Sequence, residues 1–176
     1  MTQADFIEEA AAGWTKLLPG QDMLSFEVVQ RLIWSGRLAD RILEKAAVLS
    51  GLRRRGDFEV LSLLRRNEPI FLTPVEVAQQ LLSSQSGMTG KLDRLEEQGL
   101  IRREPDPDDR RAIRLHVTES GRTLIDEAFT ASLRTYESML DDMSPAEVKR
   151  LGVLLKQLLG RLDHLSHSRP PRRAPD

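Results

Sequence analysis

Ser84, Gln85, Ser86 and Thr89 place short hydroxyls and one amide at the opening of a helix-forming run, with Gly90, Lys91 and Arg94 behind them. Side chains of this kind hydrogen-bond base edges or phosphate oxygens without steric obstruction. Gly87 and Gly90 each weaken a helix by about 1 kcal/mol relative to Ala. Close approach to a foreign backbone would compensate; loop and cap residues would look the same. A second group, Asp109, Arg110 and Arg111, follows Pro105 and Pro107 in the run "EPDPDDRRAIRLHVTESG". Adjacent arginines on a stiff, projecting tip fit a narrow minor groove, whose negative potential attracts guanidinium groups. Asp109 beside them could orient one through a charge-assisted bond. The alternative is a solvated loop whose charges neutralise each other. Arg94 and Arg114 suit phosphate contacts or internal ion pairs better than base reading.

Other chemistries find little footing. The chain has no cysteine, hence no thiolate nucleophile, disulfide or cysteine-based zinc site. There is no Gly-rich phosphate loop. His164 and His167 lie one helical turn apart without an evident third ligand, and His116 alternates within a strand-like run. No enzyme activity, metal or cofactor is expected.

The elements that must position the polar groups follow from local signals. "TPVE" at 73–76 starts a short helix: Thr73 caps, Pro74 suits the first position and Glu76 closes a capping box. "LLSSQSG" interrupts, and a further helix runs from about Ser84 to Gln98, stopped by Gly99. Two short helices about a tight polar turn make a helix-turn-helix. "LIRRE" and "AIRLHVT" alternate as strands and pair as a hairpin with "PDPDD" at its tip. A hairpin directly after a helix-turn-helix is a winged helix. The expected class is mainly α with a small β-hairpin wing, spanning 52–117.

Helices flank it. Phe6, Ala10, Trp14 and Leu17 predict an extra N-terminal amphipathic helix within 1–20. Val28, Leu32, Ala39, Ile42, Ala46 and Leu49 mark a long helix, Thr118 caps another, and "SPAE" starts a last one whose leucine stripe runs from Val148 to Leu165. The segments 22–50 and 118–165 are expected to form a helical dimerisation region, although the stripe could also fold onto the chain's own core. A two-fold dimer suits a helix-turn-helix, because recognition helices about 34–36 Å apart match successive turns of duplex.

The chain has 176 residues and a net charge of −1, so any attraction for nucleic acid must come from placement, with basic groups forward and acids facing away. The N-terminus lacks the apolar core of a signal peptide and no run is long enough to span a membrane, which makes the cytoplasm the expected location. The Pro- and Arg-rich tail, 166–176, reads as a flexible extension.

These residues resemble the MarR family of bacterial transcriptional regulators. The resemblance is carried by 72–125, above all by "DRLEEQGLI" and "DPDDRR" followed by "VTESG". It implies a triangular homodimer on pseudo-palindromic double-stranded DNA, commonly a repressor released by a small, often anionic or aromatic effector, with Arg110 or Arg111 in the minor groove. The extra helix ending in "GWTKL" is similar to the urate-responsive, PecS-like branch. That likeness implies ligand contacts from Trp14, Glu59, Lys91 and Arg103, with Glu and Lys standing where the branch has Asp and Arg. Without the resemblance, Trp14 reads as an apolar anchor and Glu59–Arg103 as a salt bridge. The rival overall reading is a winged-helix protein-interaction module that does not bind DNA.

Overall fold

A computed structural model describes residues 6–107, 109 and 112–167. Along the chain run α1 (Phe6–Leu17), α2 (Leu24–Leu49), α3 (Arg55–Asn67), α4 (Pro74–Gln80), α5 (Gln85–Glu97), β1 (Ile101–Pro105), β2 (Ile113–Val117), α6 (Glu119–Ser138) and α7 (Pro145–His167). The chain divides into two compact units after Thr135.

The first unit is built around α3. Val60, Leu61, Leu63 and Leu64 of this helix are buried together with Val77 and Ala78 of α4 and Met88, Leu92 and Leu95 of α5. Leu100, Ile101, Leu115 and Val117 of the hairpin join the same core, as do Ala47 of α2 and Ile125 and Ala128 of α6. β1 and β2 pair antiparallel, Ile101 opposite Val117 and Arg103 opposite Leu115. Alternate strand residues point to opposite faces, so one face of the hairpin plugs the core and the other stays polar. Leu72 adds an isolated bridge to Leu115, which ties the segment before α4 to the wing.

Local signals account for the boundaries. Thr73 and Glu76 form the reciprocal capping box with Pro74 inside the first turn. Gly99, at φ 68, takes the left-handed conformation that ends α5 and turns the chain into β1. The Gly121 N–H donates to the Thr118 hydroxyl at 3.0 Å, starting α6.

In α1 the buried face differs from the expected one. Ile7 and Ala11 are covered, whereas Phe6, Trp14 and Leu17 are exposed. Ile7 and Ala11 stand one turn apart beside the expected stripe, and α1 packs on α2. Phe6 meets Trp34 of α2 edge-on, with ring centroids 4.9 Å apart.

In the second unit Ser144 and Glu147 make the capping pair that opens α7: the Ser144 N–H donates to the Glu147 carboxylate at 2.8 Å. These bonds hold the Glu147 carboxyl below its ordinary value, the Ser144 hydroxyl contributing most. No residue of α7 is buried; Val153, Leu154, Leu155, Leu159, Leu162 and Leu165 are all exposed.

Candidate nucleic-acid interface

The first turns of α5 form a solvent-facing polar surface. Ser84 caps the helix, its Oγ accepting from the Gly87 N–H at 3.2 Å. The Ser86 hydroxyl lies 3.4 Å from that of Ser84, and Thr89 Oγ1 donates to the Gln85 carbonyl at 3.1 Å. Ser84, Gln85, Ser86 and Thr89 are exposed, while Met88, Leu92 and Leu95 anchor the opposite face. A Cβ at Gly90 would meet nothing closer than Arg94 Nη1 at 3.8 Å, so no contact within the chain requires glycine there.

The cations of α5 point elsewhere. Lys91 lays its stem across Gly56, where an added Cβ would fall 2.9 Å from Lys91 Cε. Of the two expectations for Arg94, the ion pair forms: its Nη2 is 2.8 Å from Asp57 Oδ1, and Asp57 has no solvent exposure. Two polar atoms of this pair, Asp57 Oδ2 and Arg94 Nε, are buried without a hydrogen-bond partner.

The expectation that acids turn away from the basic groups is overturned. Arg103 of β1 bridges Asp93 and Glu96 of α5, each at 2.7 Å. Arg102 pairs with Glu104 at 2.8 Å, and Arg114 reaches both oxygens of Asp106, at 2.6 and 2.9 Å. Arg103 finds its carboxylates on the facing helix α5, Arg114 on the loop that follows β1, and Arg102 two residues along its own strand.

At the wing tip, Asp109 is exposed and its N–H donates to Asp106 Oδ1 at 3.2 Å. Asp106 therefore joins the tip to Arg114 in the strand, a role the sequence did not single out. Arg110 and Arg111 lie outside the described residues.

The four residues expected to hold an effector divide. Glu59 and Lys91 line one cleft of about 370 Å³, with Asp40, Glu44, Arg54, Arg55, Gly56 and Arg94. Trp14 and Arg103 are not in its lining. The alternative Glu59–Arg103 bridge does not form. Glu59 pairs with Arg55 at 3.1 Å, and Arg55 also pairs with Asp40 and donates its N–H to Glu44 at 2.8 Å. Asp40, Glu44, Arg55 and Asp57 carry no local signal in the sequence: Asp40 and Glu44 of α2 meet Arg55 of α3, and Asp57 meets Arg94 of α5, only once the helices pack. Among the described residues, no helix is long and apolar enough to cross a membrane, and no group of three or more His, Asp or Glu could hold a metal.

A family model described as the MarR family matches residues 50–112. The HTH-type transcriptional regulator PecS of Dickeya dadantii is 30% identical over 165 residues, covering 93% of this chain and 96% of that protein. A mutant MarR from Escherichia coli, solved in complex with operator DNA, is 25% identical with a TM-score of 0.69, over 80% of this chain and 99% of that one. Bordetella bronchiseptica BpsR, solved in a study of how 6-hydroxynicotinic acid regulates its DNA binding, is 25% identical with a TM-score of 0.67, over 75% and 98% of the two chains. With its helix-turn-helix, its two-stranded wing and a relative matched along nearly the whole length, the chain belongs to the MarR family of DNA-binding transcriptional regulators.

Proposed function

We propose that two copies of this chain bind a pseudo-palindromic operator, repress a gene, and are released by a small anionic or aromatic effector. The observation that carries the DNA reading is the α5 surface, with exposed hydroxyl and amide groups at the start of the second helix of a helix-turn-helix, the helix that such motifs set into the major groove. In this reading Ser84, Gln85, Ser86, Thr89 and Gly90 face the major groove, and Asp109, Arg110 and Arg111 tip the wing toward the adjacent minor groove. Arg94 acts through its ion pair, holding α5 against α3.

Dimerisation accounts for the apolar groups left open in one copy, on α1 (Trp14, Leu17) and on α7 (Leu154, Leu159, Leu162). The domain division given above, with 52–117 reading DNA and 22–50 plus 118–165 joining the copies, belongs to the same proposal.

Support for effector control comes from the cleft holding Glu59 and Lys91, where α2, α3 and α5 meet. BpsR, whose DNA binding is regulated by 6-hydroxynicotinic acid, lends the chemical precedent. An anion drawn to Lys91 would reorganise the base of the reading helix, and could shift the DNA equilibrium only by its differential affinity for the two arrangements. Trp14 and Arg103 would join the ligand only in the dimer or after rearrangement.

Titration of a labelled duplex from the gene's own upstream region tests the DNA reading. Affinity should fall by orders of magnitude between low and moderate salt, with two chains per site. A salt-independent interaction with protein alone would favour the interaction-module reading. Isothermal titration with urate, related purines and 6-hydroxynicotinate, wild type against Trp14→Ala, tests the effector. No saturable binding to the wild type would end that part of the proposal.

A further inference from the structure

We propose that Leu82 is a specificity-determining residue of the DNA surface, an apolar contact for the 5-methyl group of thymine in the major groove. The inference rests on the DNA-binding reading above. α4 ends in a turn where the Leu82 N–H donates to the Gln79 carbonyl at 3.2 Å and the Ser83 N–H to the Ala78 carbonyl at 2.9 Å. That pattern places Leu82 in the left-handed position that glycine or asparagine usually fills. Its φ is 48, the one positive value at a non-glycine among the described residues. A side chain there is crowded against its own backbone.

Burial does not offset that crowding. Leu82 is 94% exposed, more than any other large apolar residue described. An apolar side chain held in an unfavourable conformation, in water, gains nothing inside the chain. Its compensation must come from outside.

Position identifies the partner. Leu82 stands two residues before Ser84, the cap of α5, at the end from which Gln85, Ser86 and Thr89 face solvent. Base edges in the major groove offer hydrogen-bonding groups and one apolar group, the thymine methyl. The hydroxyls and the amide suit the former; Leu82 supplies the match for the latter.

The test begins with a duplex that the wild-type protein selects from a random pool. It is then made with thymidine or with deoxyuridine, which lacks only the methyl. The wild type should lose about 4-fold in affinity per contacted methyl, the worth of one buried carbon. Leu82→Gly and Leu82→Asn both fit the left-handed turn and should melt no lower than the wild type. Both should bind the thymidine duplex more weakly by the same factor and no longer distinguish it from the deoxyuridine one. The salt slope should stay unchanged in all three, because no phosphate contact is removed. An equal thymidine preference in wild type and variants, or none in the wild type, overturns the inference. If no duplex is selected at all, the DNA-binding reading itself falls, and the inference with it.

Discussion

Asp57, fully enclosed near the start of α3, holds the Arg94 guanidinium of α5 at 2.8 Å. The pair joins the supporting helix to the reading helix, and neither partner can leave without stranding the other. Removing one member of such a buried pair typically costs about 3–5 kcal/mol. Asp57→Ala should therefore lower stability by about 3 kcal/mol, since Arg94 retains some solvent access. Arg94→Leu combined with Asp57→Leu should recover part of the loss. Urea unfolding of the single and double variants checks this; additive losses would show that the two residues do not act as a pair.

A second prediction concerns Gly121. A Cβ at this position would fall 2.1 Å from the Leu100 carbonyl oxygen and 2.9 Å from Val117 Cγ1. Backbone cannot yield as a flexible side-chain tip can, so the start of α6 would have to move off the hairpin. Gly121→Ala should cost about 1–3 kcal/mol, as overpacking does elsewhere. Thermal melting would register it, and an unchanged Tm would refute the close packing of α6 on the strand entry.

Acid should loosen the junction of α3 and α6. Glu68 accepts from Arg122 at 2.8 Å and from Arg65 at 2.6 Å, and Arg65 also bonds Asp126 at 2.9 Å. The Arg122 hydrogen bond, assisted by Arg65, holds the Glu68 carboxyl below its ordinary value, and Arg65 does the same for Asp126. A carboxyl whose folded value is depressed stabilises the fold above its unfolded value and loses that contribution as pH falls through the folded one. Stability should hold at neutral pH and decline below about pH 4. Glu68→Gln should be less stable at pH 7 and show a shallower acid decline, measured as the urea midpoint against pH.

Arg110 and Arg111 lie outside the described residues, so their prediction rests on sequence and family. Replacing both with Ala should cost about 1–3 kcal/mol of operator affinity per arginine and reduce the salt slope. Folding should be unaffected, which equal melting temperatures of the two proteins would check. Fluorescence anisotropy on one operator at several salt concentrations is the measurement, and equal affinity for both proteins would remove the wing from the interface.

Much of the fold was legible because its signals are local. Thr73 with Glu76, Ser84, Gly99, the alternation in 101–105 and 113–117, and Ser144 with Glu147 each act within a few residues, so sequence alone determined the order of elements and the winged helix. What it left open was decided by separation in the chain. Near-balanced charge allows many ion pairings of similar local merit, and only the packing of α3, α5 and the hairpin put Arg94 on Asp57 and Arg103 on Asp93 and Glu96. The same holds for α1, where Ile7 and Ala11 are buried while Trp14 and Leu17 of the expected stripe stay exposed. Leu82 reverses the pattern: its sequence reads as an ordinary apolar residue before a turn, and only the backbone angle and exposure mark it out. Short-range hydrogen-bond geometry is written in neighbouring residues, whereas electrostatic partners and buried faces depend on distances that exist only after the chain has folded.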